Sequence, residues 1–191
     1  KNLFMKINIA LALFAICSTG IAQDFALDTS KSSIRWVGKE LTTTQHYGSL
    51  QFDSGTLRFE DEKPHSGQFV VDMTTIKDND LPEGTAERLE GHLKSDDFFS
   101  VAKHPKAILT ITGADAQENG SFRVNADLTI KGITHPAVFD LIPADKYWIA
   151  NLVFDRSKYN VRFRSGTFVQ NLGDKLILDD IELETQLFFK Q

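Results

Sequence analysis

Five histidines are the side chains of this sequence best suited to hold a metal ion or carry a proton near neutral pH: His46, His65, His92, His104 and His135. No two of them stand at His-x-His or His-x3-His, the spacings that present two imidazoles to one ion. His65 follows a proline and precedes Ser-Gly, which reads as a turn. His104 and His135 each precede a proline and read as strand starts. His46 and His92 remain as candidate groups at the mouth of a binding site, joined by Arg156, which with Asp155 closes an apolar run. Asp96-Asp97 follows Ser95 and fits a short helical turn in which Ser95 or Asp96 caps free backbone N–H groups. An acid/base pair there would need a polar cleft, and Phe98-Phe99 follow at once. The sequence has no Gly-x-Ser-x-Gly, no paired-glycine phosphate loop and no His-Glu-x-x-His. These residue types at these spacings point to binding, with no catalytic residue and no metal ligand set.

The elements that must position such groups are strands. Side chains alternate apolar and polar at period two along most of the chain, which sends successive residues to opposite faces of a sheet. Ile34 and Trp36 open the pattern. Leu50 and Phe52 follow, then Leu57 and Phe59 after an expected turn at Asp53-Ser54-Gly55. Phe69, Val71 and Met73 share a face, as do Leu109 and Ile111. Asn119-Gly120 predicts a two-residue hairpin before the longest alternating run, Phe122 to Ile130, which contains Leu128. Ala137, Phe139 and Leu141 repeat the pattern, as do Ala150, Leu152 and Phe154. Val161 and Phe163 alternate with Arg162 and Arg164, which predicts one more strand with its arginines facing solvent. One segment differs: Thr85–Leu93 has good helix formers, with Leu89 and Leu93 four apart on one face. The fold class is all-β, an antiparallel barrel with one short helical insertion in the long interval between about residues 77 and 104.

Residues 1–23 have the order of a secretory signal peptide: Lys1 and Lys6, an apolar run from Ile7 to Ile16, then small residues to Ala22. That run is too short for a permanent span. The expectation is a cleaved leader over 1–23 and a single exported domain over 24–191. The only cysteine, Cys17, would leave with the leader, so the domain would hold itself together without disulfides. Losing Lys1 and Lys6 takes the basic count from 21 to 19 against 26 acids, and the net charge from −5 to −7. Such a balance disfavours nucleic acid as a partner. It leaves an uncharged apolar ligand open, and the fifteen phenylalanines suit one.

Two motifs carry a resemblance. His92-Leu-Lys-Ser-Asp-Asp-Phe-Phe99 runs on to His104-Pro105 and the strand Ala107–Thr112, and Asp127-Leu-Thr-Ile-Lys-Gly-Ile-Thr-His-Pro136 stands further along. With Trp36, Gly48, the stretch Val70–Ile76 and Phe154-Asp155-Arg156, they occur in an order that resembles the YceI-like family over nearly the whole of 24–191. The resemblance implies an extended eight-stranded antiparallel lipocalin-like barrel in the periplasm. It also implies a long apolar cavity for a polyisoprenoid or other long-chain lipid, and no established catalysis. The chain departs from the family's commoner form at Glu90-Gly91, where an aspartate or arginine–aspartate pair is expected before the His-Leu segment.

The residues support the same reading by their own chemistry. An eight-stranded barrel is about the smallest that can hold one apolar ligand as well as its own side chains. The expected cavity lining is Trp36, Leu50, Phe52, Phe69, Val71, Leu109, Leu128, Phe139, Leu152 and Phe163, with Phe98 and Phe99 closing one end at the hinge after the helix. His46, His92 and Arg156 are the expected head-group contacts. The expected partner is a long-chain lipid, a quinone among the candidates, bound by a monomer or homodimer without a cofactor and without an integral membrane span. Two other readings stand beside this one: an envelope stress factor that binds a protein, and an enzyme acting on a prenyl lipid or its diphosphate.

Overall fold

The computed structural model describes residues 22–42 and 44–190. The expected leader lies outside the described residues up to position 21, and Ala22 and Gln23 belong to the first strand. The strands are β1 (Ala22–Ala26), β2 (Ser33–Lys39), β3 (Gln45–Glu60), β4 (Lys63–Asp78), β5 (Lys106–Ala116), β6 (Phe122–Ile130), β7 (Ile133–Pro143), β8 (Trp148–Asp155) and β9 (Asp180–Leu187). The helix α1 (Glu83–Lys94) stands between β4 and β5. Every strand pairing is antiparallel, and β3–β4 pairing closes the ring β3-β2-β9-β8-β7-β6-β5-β4. β1 pairs with β3 through Ala26↔Thr56 and β2 through Ile34↔Leu50, both on the edge of β3 that β4 leaves free. The nine strands therefore make eight staves of one closed barrel.

Local chemistry explains the connections. Asp61-Glu62 and Lys131-Gly132 form two-residue turns with all four φ angles positive, at 49°, 63°, 52° and 72°, the conformation whose twist matches that of the joined strands. The hairpin expected at Asn119-Gly120 is instead a five-residue loop between β5 and β6. Gly120 alone takes positive φ there, and Asn119 accepts hydrogen bonds from the Ser121 N–H and hydroxyl. The turn expected at Asp53-Ser54-Gly55 is a register shift inside one continuous 16-residue strand. A bulge and a turn share the same small polar residues, and only the partner strand β4 decides between them. His65, read as a turn residue, lies within β4.

The strand expected over Val161–Arg164 does not form. Asn160 and Arg164 both take left-handed backbone, with φ of 58° and 49°, so the alternation there is not a pleat. This segment connects β8 to β9 by way of a 3-10 turn at Arg156–Tyr159. The isolated bridge Glu40↔Ile177 ties it to the end of β2, and Ser165↔Ile177 folds it back on itself. β7 pairs with β8 only from Asp140 to Pro143, and below that point the buried Tyr159 stands beside β7 with the His135 ring edge-on at 5.3 Å.

The helix packs by a sparse stripe. Ala86, Glu90 and Leu93 are its buried residues, at the spacing that keeps side chains on one face. Glu90 fastens it to the end of β4: one carboxylate oxygen accepts the Asp78 N–H at 3.1 Å and the other accepts Lys77 Nζ at 3.3 Å. Burial raises the Glu90 carboxyl, but those two donors hold it below the ordinary carboxylate value. Ser95 does not cap an N-terminus: its hydroxyl donates to the His92 carbonyl and closes the C-terminal turn of α1. Among the described residues no helix is long and apolar enough to cross a membrane.

Candidate functional site

All eight staves contribute two or more residues to one central cavity, β5 through Ala107, Leu109 and Ile111. Ile34 and Trp36 come from β2, Phe52 and Leu57 from β3, and Phe69 and Met73 from β4. Leu128 and Ile130 come from β6, Phe139 and Leu141 from β7, Leu152 and Phe154 from β8, and Leu183 and Leu187 from β9. The cavity encloses about 290 Å³. All twelve apolar residues named from the sequence line it, and so do His46, His92 and Arg156. The Trp36 indole and the Thr185 hydroxyl in this lining are turned into the wall. Trp36 Nε1 donates to the Lys77 carbonyl at 3.1 Å, and Thr185, the one hydroxyl in the lining among the described residues, donates to the Ala150 carbonyl at 2.8 Å. The indole lies against Gly48, where a Cβ would stand 2.6 Å from the ring and 1.8 Å from the Lys77 carbonyl oxygen.

One end of the barrel is sealed by aromatic rings that sequence reasoning did not bring together. Phe59 touches Phe25 at 5.5 Å, Trp148 at 5.6 Å and Phe122 at 6.3 Å between centroids, and Phe25 meets Phe189 at 6.0 Å. These edge-on and tilted contacts are the geometry aromatic quadrupoles prefer. None of the five rings reaches the cavity. They come from β1, β3, β6, β8 and the chain after β9, so the plug exists only once the barrel has closed. Phe98 and Phe99 are not part of it; both line the cavity toward the opposite end.

That opposite end carries the charged lining residues Lys39, Glu40, Arg156 and Arg164 together with the imidazoles of His46 and His92, and forms the mouth. Phe98, His92 and Phe163 pack together there, with His92–Phe163 centroids 4.4 Å apart and Phe98–Phe163 at 5.4 Å. His92 Nε2 also lies 3.5 Å from an Asp97 carboxylate oxygen. Lys39 pairs with Glu182. Arg164, expected to face solvent, lines the mouth with its guanidinium 5.1 Å from the Phe163 ring centroid. Its left-handed backbone abolishes the alternation from which the outward assignment came.

Arg156 is 1% exposed, and its donors point into the chain. Nε donates to the Leu178 carbonyl at 3.2 Å, Nη1 to Phe163 at 2.9 Å and Nη2 to Ile177 at 3.1 Å, with Asp179 Oδ1 3.2 Å from Nη2. Burial lowers the guanidinium pKa and the Asp179 and Asp155 charges oppose that shift. Arg156 thus clamps the irregular segment that frames the mouth. Asp155 makes a turn bond of its own, accepting from Ser157 N–H at 2.8 Å.

His46 lies at the rim with its Nδ1 2.9 Å from Asp80 Oδ2. Burial acts to raise the Asp80 carboxyl, yet the Tyr47 N–H and His46 bring it below the ordinary value. Asp78 goes the other way, raised by burial and by the neighbouring Asp80 carboxylate. Among the described residues, His46 and His92 each face a carboxylate, and neither faces a hydroxyl nucleophile. The lining offers apolar contact along its length and mixed charge at one end.

A closed eight-stave barrel, sealed at one end and hollow along its axis, is a lipocalin-like binding architecture. The chain belongs to the YceI-like family: the YceI-like domain matches residues 25–189. A UPF0312 protein of Pectobacterium atrosepticum is 29% identical over 134 residues, 69% of this chain and 67% of that one. Protein YceI of Salmonella newport is 28% identical over 142 residues, 73% of this chain and 71% of its own. BcnA of Burkholderia cenocepacia has the same fold, with a TM-score of 0.67 at 20% identity, covering 84% of this chain and 98% of BcnA. A polyisoprenoid binding domain from Saccharophagus degradans superposes with a TM-score of 0.58 at 14% identity, covering 87% of this chain and 97% of the domain.

Proposed function

We propose that this protein is a binding protein for a long-chain lipid, a polyisoprenoid or a relative such as a quinone, and that it works outside the cytoplasm. The observation that carries the reading is the cavity: apolar side chains from all around the barrel, an aromatic seal at one end and a charged mouth at the other. A single unbranched or prenyl chain fits that shape, apolar tail toward the seal and polar end at the mouth. Each buried CH₂ contributes about 0.8 kcal/mol, so roughly ten carbons contribute about 8 kcal/mol before the cost of ordering the ligand. Affinity therefore requires no charged recognition, no cofactor and no turnover. The Saccharophagus degradans domain, a polyisoprenoid binding domain on the same fold, supports this choice of ligand class. The leader-like N-terminal segment supports export to the periplasm, where a soluble holder would transport, store or shield such a lipid.

The test is mass spectrometry of lipids extracted from the purified protein, followed by titration of the delipidated protein with long-chain prenols. A prenyl or acyl species at near-stoichiometric yield, and a change in Trp36 emission on adding prenol, are the expected results. A protein that carries no extractable lipid and whose emission ignores prenols and fatty acids alike would refute the reading.

A further inference from the structure

At the edge of the mouth, outside the apolar lining, an imidazole and two carboxylates converge from three points of the chain. His46 is the second residue of β3, Asp78 is the last of β4, and Asp80 stands two residues on, before α1. The pairing Gly48↔Asp78 and the Asn79 N–H to Tyr47 carbonyl bond, 2.9 Å, fold the end of β4 back onto the start of β3. One side-chain ligand atom from each of His46, Asp78 and Asp80 lies within 4.8 Å of the other two.

The hydrogen bonds around this cluster leave a gap. Asp80 Oδ1 accepts the Tyr47 N–H at 2.8 Å and Asp78 Oδ1 accepts the Leu81 N–H at 2.9 Å, so the backbone orients both carboxylates. Asp80 Oδ2 meets His46 Nδ1. Asp78 is 9% exposed, and its Oδ2 is buried with no hydrogen-bond partner among the described residues. The neighbouring lysine does not reach it: Lys77 Nζ pairs with Glu90, and Glu90 itself binds the Asp78 N–H. A buried carboxylate oxygen without a donor, beside a second carboxylate, is costly unless a positive charge joins it.

We propose that His46, Asp78 and Asp80 form a binding site for a divalent first-row transition ion, with zinc the best match. One imidazole nitrogen and two carboxylate oxygens suit zinc at a three-ligand site that keeps a position open for water. Magnesium and calcium prefer all-oxygen ligand sets. The Tyr47 and Leu81 N–H groups supply the outer contacts that orient ligating carboxylates. Binding requires a neutral imidazole, so the ion replaces the contact between His46 and Asp80 and releases any proton held there. The ion then ties the start of β3, the end of β4 and the approach to α1 into one rigid corner of the mouth. The site stands on its own geometry and not on the lipid reading.

The test is calorimetric titration of untagged, chelator-stripped protein with Zn²⁺ alone, with Mg²⁺ as the control ion. Expected are one equivalent of Zn²⁺ per chain, no Mg²⁺ binding, and a thermal midpoint that rises with Zn²⁺ concentration. His46→Ala and Asp78→Asn each lower Zn²⁺ affinity at least tenfold, with unchanged far-ultraviolet circular dichroism showing that the barrel is intact. Asp80→Asn, which keeps an acceptor for the Tyr47 N–H, serves if Asp78→Asn does not fold. Wild-type protein that takes up no Zn²⁺ overturns the proposal. So does Zn²⁺ uptake that survives both His46→Ala and the aspartate variant, which would place the ion at another histidine. Wild-type protein that ignores Zn²⁺ while Asp78→Asn gains stability would assign the pair of carboxylates to a shared proton, and that also overturns it.

Discussion

Replacing Arg156 with methionine separates two roles that its position at the mouth allows. Methionine keeps much of the apolar stem but removes every donor. Three backbone carbonyls, those of Phe163, Ile177 and Leu178, then lose their partner, and the Asp179 carboxylate loses its cation. A hydrogen bond from a charged donor contributes about 1.5–3 kcal/mol, and three of them do not add because the segment can move to recover water. Removing one partner of a buried ion pair costs about 3–5 kcal/mol, which sets the expected loss. Asp179 softens the blow, since its other oxygen still accepts from Ser165 and Thr167, both at 2.8 Å. The assay is urea unfolding at pH 7 followed by circular dichroism. Arg156→Lys should recover only part of the loss, because one ammonium cannot present a planar fork to three carbonyls. If Arg156→Met stays within about 1 kcal/mol of the wild type while prenol retention collapses, the side chain is a ligand contact and the clamp reasoning is wrong.

Two further outcomes follow from named geometry. Gly48→Ala places a Cβ 1.8 Å from the Lys77 carbonyl oxygen and 2.6 Å from the Trp36 ring, so β3 and β4 must part and the indole must leave its acceptor. Stability should fall by more than the roughly 1 kcal/mol of an average substitution, with altered Trp36 emission, and a wild-type unfolding curve would contradict the packing. Burial pushes the Tyr159 phenol from its ordinary value of 10.0 up to about 12. Because its folded pKa lies above the unfolded one, its contribution to stability is complete below pH 10 and is lost as pH rises toward 12. Tyr159→Phe should show a shallower loss of stability over that interval in denaturant titrations, and an identical slope would refute the assignment.

Much of the cavity was legible in the sequence, and the reason is local. Period-two alternation is a property of the strand itself, so Trp36, Phe52, Phe69, Leu128, Phe139 and Leu152 could be placed on one face without knowing their neighbours. The helix was legible for the same reason, from the Leu89–Leu93 spacing. The errors fall where a residue's neighbours decide its conformation. Asp53-Ser54-Gly55 carries turn chemistry, but β4 runs alongside and turns it into a shift of register. Phe163 and Arg164 alternate like a strand, but no partner strand lies beside them, and positive φ at Arg164 brings its side chain to the mouth.

What the sequence determined alone is the barrel class, the inward face of most strands and the apolar character of the interior, because each rests on contacts between near neighbours in the chain. Tertiary structure decided which end is sealed and which is open, since the plug gathers Phe25, Phe59, Phe122, Trp148 and Phe189 across most of the chain length. It also decided that Arg156 spends its donors on carbonyls near residues 163 and 178, and that His46 meets Asp78 and Asp80 some thirty positions away. No spacing rule reaches those groups: the His46 cluster needs β3 and β4 paired out to Gly48↔Asp78, and the Arg156 bonds need the chain after β8 to fold back on itself.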